Sequence, residues 1–421
     1  MVSKLKPLHM IVSKSGFLIS SFLMFVAVVK PSRAYSTGMA ARRLFSHHLS
    51  HKHQRQFYAI SAAAPRRPAP TGILRRSVVS ATKATSSDEE LNRTGDRNGL
   101  VRYSVQADDG HVLRMYGRPG KTNGPTAGSK GTVLLLHGRT WSSQPVYDLR
   151  TNPTDERKQS LLQTLNELGF AAYALDFRGF GETLRDASGY TTPQRCVDDT
   201  KASLEWIVAR HAADANKSSG RFLSVDESAM KKRDMSNETK PALLGWSQGA
   251  LVAQLYAQQH GDTIRDLTLF GSIYDPNTVY PRRSLYESPL PEAPANANTL
   301  ASALEDFTLP GTICDEAALA FGKLALAADP VKAPWNELHE FNALLPGLVQ
   351  VPTHVIVGQQ DPYVSFEAQR KLFEQIATPD KVLTILPDSD HAAHILQRRH
   401  MFVRAVVSFM RRKEEIYDFI I

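Results

Sequence analysis

The sequence predicts an α/β fold with a mostly parallel central sheet, helices on both faces and an inserted helical cap. Short runs of consecutive apolar residues recur along residues 100–421, as in strands buried on both faces of a parallel sheet. Segments with helical spacing of apolar residues alternate with these runs. One proline-rich block, residues 275–347, interrupts the alternation and is too long for a bare loop, so it predicts the cap.

The charge of the chain is divided between a basic N-terminal part and an acidic body. Residues 1–87 contain 14 Lys or Arg and no Asp or Glu, which leaves 36 basic and 42 acidic residues in 88–421. The net charge of the body is therefore 36 − 42 = −6. Because nucleic-acid binding requires a basic surface, we expect no nucleic-acid partner for the body.

The basic part, residues 1–87, is predicted to be a targeting leader. The apolar run 16–29 has 14 residues, which suits a signal peptide and is short for a membrane span of about 20 residues. Residues 39–83 are rich in Arg, Ser and Ala and contain no acid, a composition typical of organelle transit peptides. Two destinations fit, a plastid entered through the secretory route and a mitochondrion. Secretion and membrane anchoring through residues 16–29 are the alternatives.

After a polar linker at residues 88–99, the body divides into a first core part (100–274), the cap (275–347) and a second core part (348–421). A hairpin is predicted for 100–106 and 111–116, because Asp109-Gly110 favours a tight turn. Further strands are predicted at 132–136, 170–175, 241–244, 265–271, 352–357 and 381–386. Helices are predicted at 157–168, 193 to about 210, 248–260, 365–376 and 391–412, with helix-like pieces in the cap at 314–328 and 335–345. Residues 212–239 are predicted to be a surface insertion.

The strongest chemical signal is Gly245-Trp246-Ser247-Gln248-Gly249, which lies between a short apolar strand and a helix. This is the pattern of a nucleophile elbow, in which the serine occupies a strained strand-to-helix turn. The glycines two positions before and after the serine allow the backbones to approach closely. The amides at the helix N-terminus then point at the site. The pattern predicts Ser247 as a nucleophile.

A serine nucleophile needs a general base, and the base needs an acid that fixes its tautomer. We prefer His391 to His394 as the base, because His391 follows the last predicted strand in a loop over the sheet edge. Asp361 comes after a buried strand and a glycine turn, at the edge where ligands gather in parallel sheets. Asp388 and Asp390 are rivals by proximity to His391, but a side chain so close in sequence points away more often than not.

The negative charge on the attacked carbonyl oxygen needs hydrogen-bond donors that are fixed in advance. One predicted donor is the backbone amide of Gln248, directly after the nucleophile. The other is the amide of Arg139, in the loop that follows the strand 132–136. Trp141 and Trp246 are predicted to wall the acyl pocket, and packing in the core is an equal interpretation for both.

Four segments resemble the α/β-hydrolase superfamily, and they occur in the family's order across about residues 100–415. They are LLLHGRTW, ALDFRGFGET, LLGWSQG and VGQQDP followed by DSDHAAH. The resemblance implies a serine–aspartate–histidine triad in the chain order Ser247, Asp361, His391. A serine at the elbow argues against epoxide hydrolase or dehalogenase chemistry, which in this family needs an acid there. HGRTWSS is less glycine-rich than the lipase pattern and therefore favours a smaller substrate.

These residues predict a serine hydrolase, similar to carboxylesterases, that cleaves a small or medium acyl ester or thioester through an acyl-enzyme. The reaction needs no metal ion and no organic cofactor, and its partner is a small-molecule acyl substrate. Carbon–carbon bond hydrolysis, amide hydrolysis and acyl transfer to an alcohol remain as alternatives, because they use the same groups. A ligand-binding receptor with little turnover is the alternative outside enzymes. A membrane-tethered structural protein, anchored by residues 16–29, is a third.

Overall fold

The computed structural model describes residues 100–118, 130–151, 160–218, 240–282, 296–333 and 335–413. The predicted leader and linker lie outside these ranges, as does the part of the predicted surface insertion from 219 to 239. The rest of that insertion, residues 212–218, is helical. Within the described residues, no helix is both long enough and apolar enough to cross a membrane.

Among the described residues, eight strands form one sheet whose order is β1-β2-β4-β3-β5-β6-β7-β8. Strand β2 runs antiparallel to both of its neighbours, and every other pairing is parallel. The predicted hairpin and the predicted mostly parallel sheet are therefore confirmed. The strands are β1 (Val101–Gln106), β2 (Val112–Arg118), β3 (Thr132–Leu136), β4 (Ala171–Asp176), β5 (Ala242–Trp246), β6 (Leu267–Phe270), β7 (Thr353–Gly358) and β8 (Lys381–Leu386).

Helices cover both faces of the sheet, and apolar side chains pack in one cluster on each face. Strands β4, β5, β6 and β7 are buried along their whole length, which explains why their sequences are apolar runs without alternation. The core helices are α1 (Ser143–Tyr147), α2 (Leu161–Glu167), α3 (Pro193–Ser218), α4 (Gln248–His260), α7 (Phe366–Gln375) and α8 (Arg399–Arg411).

The two largest differences from the predicted helix boundaries are at the end of α3 and at the start of α8. Helix α3 begins at Pro193, as predicted, but it extends to Ser218 rather than to about residue 210. Helix α8 begins at Arg399, so the prediction of a helix from residue 391 is wrong. Residues 391–398 form turns because their amides have other acceptors: Ala392 N donates to Asp390 Oδ1 at 2.9 Å, and Gln397 N donates to Thr312 O at 2.9 Å.

In the part of the predicted cap block that the structure describes (275–282, 296–333 and 335–347) there are two α-helices, α5 (Leu300–Leu304) and α6 (Asp315–Ala328). Helix α6 corresponds to the helix-like piece predicted at 314–328. The piece predicted at 335–345 is instead a 3₁₀-helix, Leu338–Ala343. It follows Glu337, whose left-handed conformation (φ 52°) prevents a continuous α-helix from residue 335.

Candidate active site

Ser247 lies between β5 and α4 in a backbone conformation that non-glycine residues rarely adopt, with φ 58° and ψ −121°. The flanking glycines explain how the turn closes. A Cβ on Gly245 would lie 2.3 Å from the carbonyl oxygen of Gly249, and a Cβ on Gly249 would lie 2.2 Å from that of His137. Only glycine fits at either position, and the resulting turn is the sharp strand-to-helix elbow predicted from the sequence.

His391 and Asp361 are joined by a hydrogen bond of 2.7 Å between Nδ1 and Oδ2. The Asp361 side chain is fully buried, and the His391 side chain is 5% exposed. Asp361 lies in the loop after β7, where its Oδ1 accepts from Tyr363 N at 2.9 Å. The ring of Tyr363 meets the His391 ring edge-on, with 5.0 Å between centroids. His391 is thus held on two sides, by a carboxylate and by an aromatic ring.

The elbow and the histidine–aspartate pair meet at the carboxyl end of β6. The amide of Ser247 donates to Phe270 O at 2.9 Å. The next residue, Gly271, has φ 51°, and a Cβ there would lie 3.1 Å from His391 Nδ1 and 3.3 Å from Asp361 Oδ2. No motif in the sequence predicts a role for Gly271. Its absent side chain leaves the space that the imidazole ring occupies.

Trp246 ties the His391 loop directly to the elbow. Its Nε1 donates to the backbone oxygen of His391 at 2.8 Å, and the two ring centroids are 5.3 Å apart. No hydrogen bond joins Ser247 Oγ to the His391 ring among the described residues. In enzymes such contacts often tighten only when substrate binds.

The rival residues near His391 are engaged elsewhere. Asp388 is exposed and forms an ion pair with Arg398. Asp390 is buried, and its Oδ2 accepts from Thr308 N at 2.9 Å. His394 is also buried, in a turn rather than in a helix, and the desolvation that accompanies burial lowers its pKa to about 3. The structure therefore brings Asp361, and neither Asp388 nor Asp390, into hydrogen-bonding contact with His391.

The two predicted amide donors lie on either side of the elbow. Gln248 is the first residue of α4, so its amide has no acceptor within the helix. Arg139 follows Gly138, at which a Cβ would lie 3.2 Å from Ser247 Cβ, so this loop packs directly on the nucleophile turn. Trp335 of the predicted cap donates its Nε1 to Arg139 O at 3.0 Å.

His137 fixes this loop, a role that no sequence motif predicts. Its Nε2 accepts from Phe177 N at 3.1 Å, so Nδ1 carries the proton and donates to Gly138 O at 2.9 Å. Burial lowers the pKa of His137 to about 3, which keeps the ring neutral and this pair of bonds intact. The His-Gly pair at the end of β3 was the only sequence signal for it.

Both predicted pocket tryptophans are buried beside the site. Trp246 is 3% exposed and Trp141 is 2% exposed. Trp141 Nε1 donates to Asp306 Oδ2 at 2.9 Å, which connects the loop after β3 to residues 305–309 of the predicted cap. We refer to residues 305–309 as the strap. Asp306 is not predictable from the sequence, because nothing in its local pattern distinguishes it from a surface acid.

Comparisons with known proteins agree with this architecture. A sequence model described as the alpha/beta hydrolase family matches residues 133–405, more than half of the chain. A pimeloyl-[acyl-carrier protein] methyl ester esterase of Chromobacterium violaceum is 28% identical over 186 residues, which cover 40% of this chain and 69% of the relative.

Solved structures with a similar fold include a serine hydrolase involved in carbazole degradation and a thermophilic esterase from Thermogutta terrifontis. The first is 20% identical with a TM-score of 0.45, and the match covers 74% of this chain and 98% of the other. The second is 17% identical with a TM-score of 0.44 and the same coverage, 74% and 98%.

Proposed function

This chain belongs to the alpha/beta hydrolase family, and from that premise we propose that it is a serine hydrolase that cleaves esters or thioesters of small or medium acyl groups. Ser247 attacks the acyl carbonyl carbon, and His391 accepts the proton of its hydroxyl. His391 then returns that proton to the leaving alcohol or thiol as the tetrahedral intermediate collapses to the acyl-enzyme. In the second half of the reaction, water takes the place of the serine hydroxyl and releases the acid.

The observation that carries this proposal is the 2.7 Å bond from His391 Nδ1 to Asp361 Oδ2 beside the elbow. Because Nδ1 donates in this bond, Nε2 of the neutral ring is left as the proton acceptor. The buried carboxylate also stabilises the imidazolium that forms during attack. The 2.8 Å bond from Trp246 Nε1 to the backbone oxygen of His391 ties the His391 loop to the elbow that carries Ser247.

The backbone amides of Gln248 and Arg139 are the proposed oxyanion donors. Both lie next to the nucleophile turn, and the neutral His137 ring holds the loop that carries Arg139. Donors that are fixed before the charge develops need no reorganisation during the reaction. The methyl ester esterase of C. violaceum supports an ester substrate. The acidic body favours an apolar acyl group over a polymer.

Fluorophosphonate labelling of the purified full-length chain tests the nucleophile. We expect wild-type protein to be labelled and to hydrolyse short or medium acyl esters. Ser247→Ala should abolish labelling and lower kcat by at least about 10⁴-fold, because no other hydroxyl replaces the nucleophile. Gel fluorescence and a panel of acyl esters measure the two effects.

Ser408→Ala is the matched control, because Ser408 lies exposed on α8 and undergoes the same chemical change away from the site. It should retain full labelling and turnover. If the folded wild-type protein were not labelled, the serine-hydrolase proposal would be wrong, and a ligand-binding receptor would be favoured. Labelling that survives in Ser247→Ala would assign the nucleophile to another residue.

A further inference from the structure

The strap crosses the candidate site and contacts three of the loops that build it. Thr308 N donates to Asp390 Oδ2 in the His391 loop at 2.9 Å. Tyr363 OH, in the Asp361 loop, lies 3.4 Å from Glu305 O. Asp306 accepts from Trp141 in the loop after β3, at 2.9 Å. The strap is therefore placed by the same loops that carry the proposed catalytic groups.

Asp306 uses only one carboxylate oxygen in these contacts. Its Oδ2 accepts from Trp141, whereas Oδ1 has no hydrogen-bond donor among the residues that the structure describes. Burial raises the pKa of Asp306 to about 6, and the nearby charge of His391 opposes this rise. A carboxylate with one unused oxygen thus lies within electrostatic range of the proposed base.

The titratable groups around Asp306 come from the His391 loop, from the Asp361 loop and from the strap itself, whereas the loop after β3 contributes the neutral Trp141. His391 is the cationic partner when protonated, and Asp390 and Glu305 add negative charge. Burial and then the charge of Asp306 raise the pKa of Tyr363 to about 12, so this phenol stays neutral at physiological pH. This side of the site therefore carries excess negative charge above the pKa of Asp306.

We propose that Asp306 makes this site selective for substrate charge, preferring esters with a cationic group near the scissile bond and disfavouring esters with a carboxylate there. The inference rests on the proposed ester hydrolysis and names the substrate class for it. A cationic group gains from Oδ1 and from the surrounding field, whereas a carboxylate is repelled by both. Asp306 contacts the substrate away from the reacting carbonyl, so it governs selection rather than the chemical step.

Three matched butyrate-length esters test this selectivity. Butyrylcholine and 3,3-dimethylbutyl butyrate have the same shape and differ in one positive charge. Mono-3,3-dimethylbutyl succinate replaces the terminal methyl of the butyrate by a carboxylate. Asp306→Asn removes the charge and keeps an oxygen that can accept from Trp141. The ratio of kcat/KM for the cationic ester to that for the neutral ester should fall about five- to tenfold in Asp306→Asn, and the anionic-to-neutral ratio should rise similarly.

Glu305→Gln is the control for a general field effect, since Glu305 is the exposed neighbour of Asp306 in the strap. It should change both ratios by much less than Asp306→Asn does. The wild-type preference for the cationic ester should also disappear as pH falls through about 6, where Asp306 takes up a proton.

The outcomes separate this inference from the function on which it rests. Turnover of the neutral ester with ratios that are the same in wild type and Asp306→Asn would overturn the role of Asp306 alone. If fluorophosphonate did not label Ser247 in folded wild-type protein, the proposed function would be overturned instead. Calorimetric titration with choline and with 3,3-dimethylbutan-1-ol addresses Asp306 without turnover. Choline should bind several-fold more tightly to wild type than to Asp306→Asn, and equal affinities would contradict the inference.

Discussion

At the scale of single residues, the candidate site depends on places where a side chain is missing. Gly245 and Gly249 let the elbow close, and Gly271 leaves room for the histidine ring. The first two belong to a sequence pattern with a known physical meaning. Gly271 belongs to no pattern, yet a Cβ at this position would contact both members of the His391–Asp361 pair. Its substitution therefore tests how closely that pair must be held.

We expect Gly271→Ala to impair catalysis more than folding. The added methyl group would lie 3.1 Å from the His391 ring, at a backbone φ of 51° that already disfavours alanine. The ring must move, and a displacement of this kind lowers kcat by about 10- to 100-fold. The strain should cost about 1–2 kcal/mol of unfolding free energy. Ester turnover and urea unfolding measure the two effects.

Gly110→Ala provides the matched control, because Gly110 also has a positive φ, 83°, but its nearest neighbour to an added Cβ is 4.0 Å away. It should show a similar loss of stability and an unchanged kcat. If Gly271→Ala retained wild-type kcat, the ring would not be confined by this contact.

At the scale of elements, the buried carboxylate of Asp329 joins the predicted cap to two turns of the core, and a second buried carboxylate, Asp176, binds the same two turns. Asp329, directly after α6, accepts from Ser142 N and Gly181 N, both at 2.8 Å. Asp176, at the end of β4, accepts from Ser143 N at 2.8 Å and Glu182 N at 3.1 Å. Both side chains thus cross-link the same two turns. Burial raises the pKa of Asp176 to about 7, and the charge of Asp329 contributes to the rise.

We expect Asp329→Asn to destabilise the protein more at pH 5 than at pH 8. A raised folded-state pKa means that the folded chain binds more protons than the unfolded chain between about pH 4 and pH 7, so this pair loses stability as pH rises through that window. Asp329→Asn lacks one of the two carboxylates that repel each other when both are ionised. At high pH the variant is therefore destabilised less, relative to wild type, than at low pH. At pH 5 the asparagine still leaves one amide poorly paired, at a cost of about 1–3 kcal/mol.

Urea unfolding at the two pH values measures this difference. Asp315→Asn is the control, because it makes the same chemical change at an exposed residue, at the start of α6. Its effect on stability should be small and the same at pH 5 and pH 8. If Asp329→Asn destabilised the protein equally at both pH values, the carboxylates of Asp329 and Asp176 would not repel each other in the folded protein.

At the scale of the whole molecule, the opposite charges of leader and body indicate two separate tasks. The 14 basic residues and the absence of acids before residue 88 are typical of import signals, whereas the body carries the proposed chemistry. We propose that residues 1–87 direct the chain to a plastid or a mitochondrion.

We expect a fluorescent reporter fused to residues 1–87 to enter an organelle. Replacing the arginines of residues 39–83 by glutamine should abolish entry, because the positive charge of a transit peptide is part of its signal. Microscopy and fractionation with a carbonate wash follow the reporter. A diffuse cytosolic signal would contradict the targeting proposal, and a carbonate-resistant membrane fraction would favour an anchor at residues 16–29.

The sequence by itself determined the alternation of strands and helices, the place of the elbow and the order of the candidate residues. Strands β3 and β8 have the predicted bounds. In β3 the run of consecutive apolar residues reports burial on both faces, whereas β8 lies at the edge of the sheet and exposes two of its apolar side chains. The serine turn was predictable because its glycines, strand and helix are contiguous. These are features of local backbone and burial, which a single stretch of sequence encodes.

The tertiary structure decided which loops meet. Gly271 beside His391, Asp306 on Trp141 and Asp329 on Gly181 are contacts across 120, 165 and 148 residues of chain. The start of α8 also depends on a contact that is distant in sequence, because the Gln397 amide, which a longer helix would use, donates to Thr312 O instead. Hydrophobic periodicity reports whether a residue is buried but not which partner buries it, so no local pattern could have supplied these contacts.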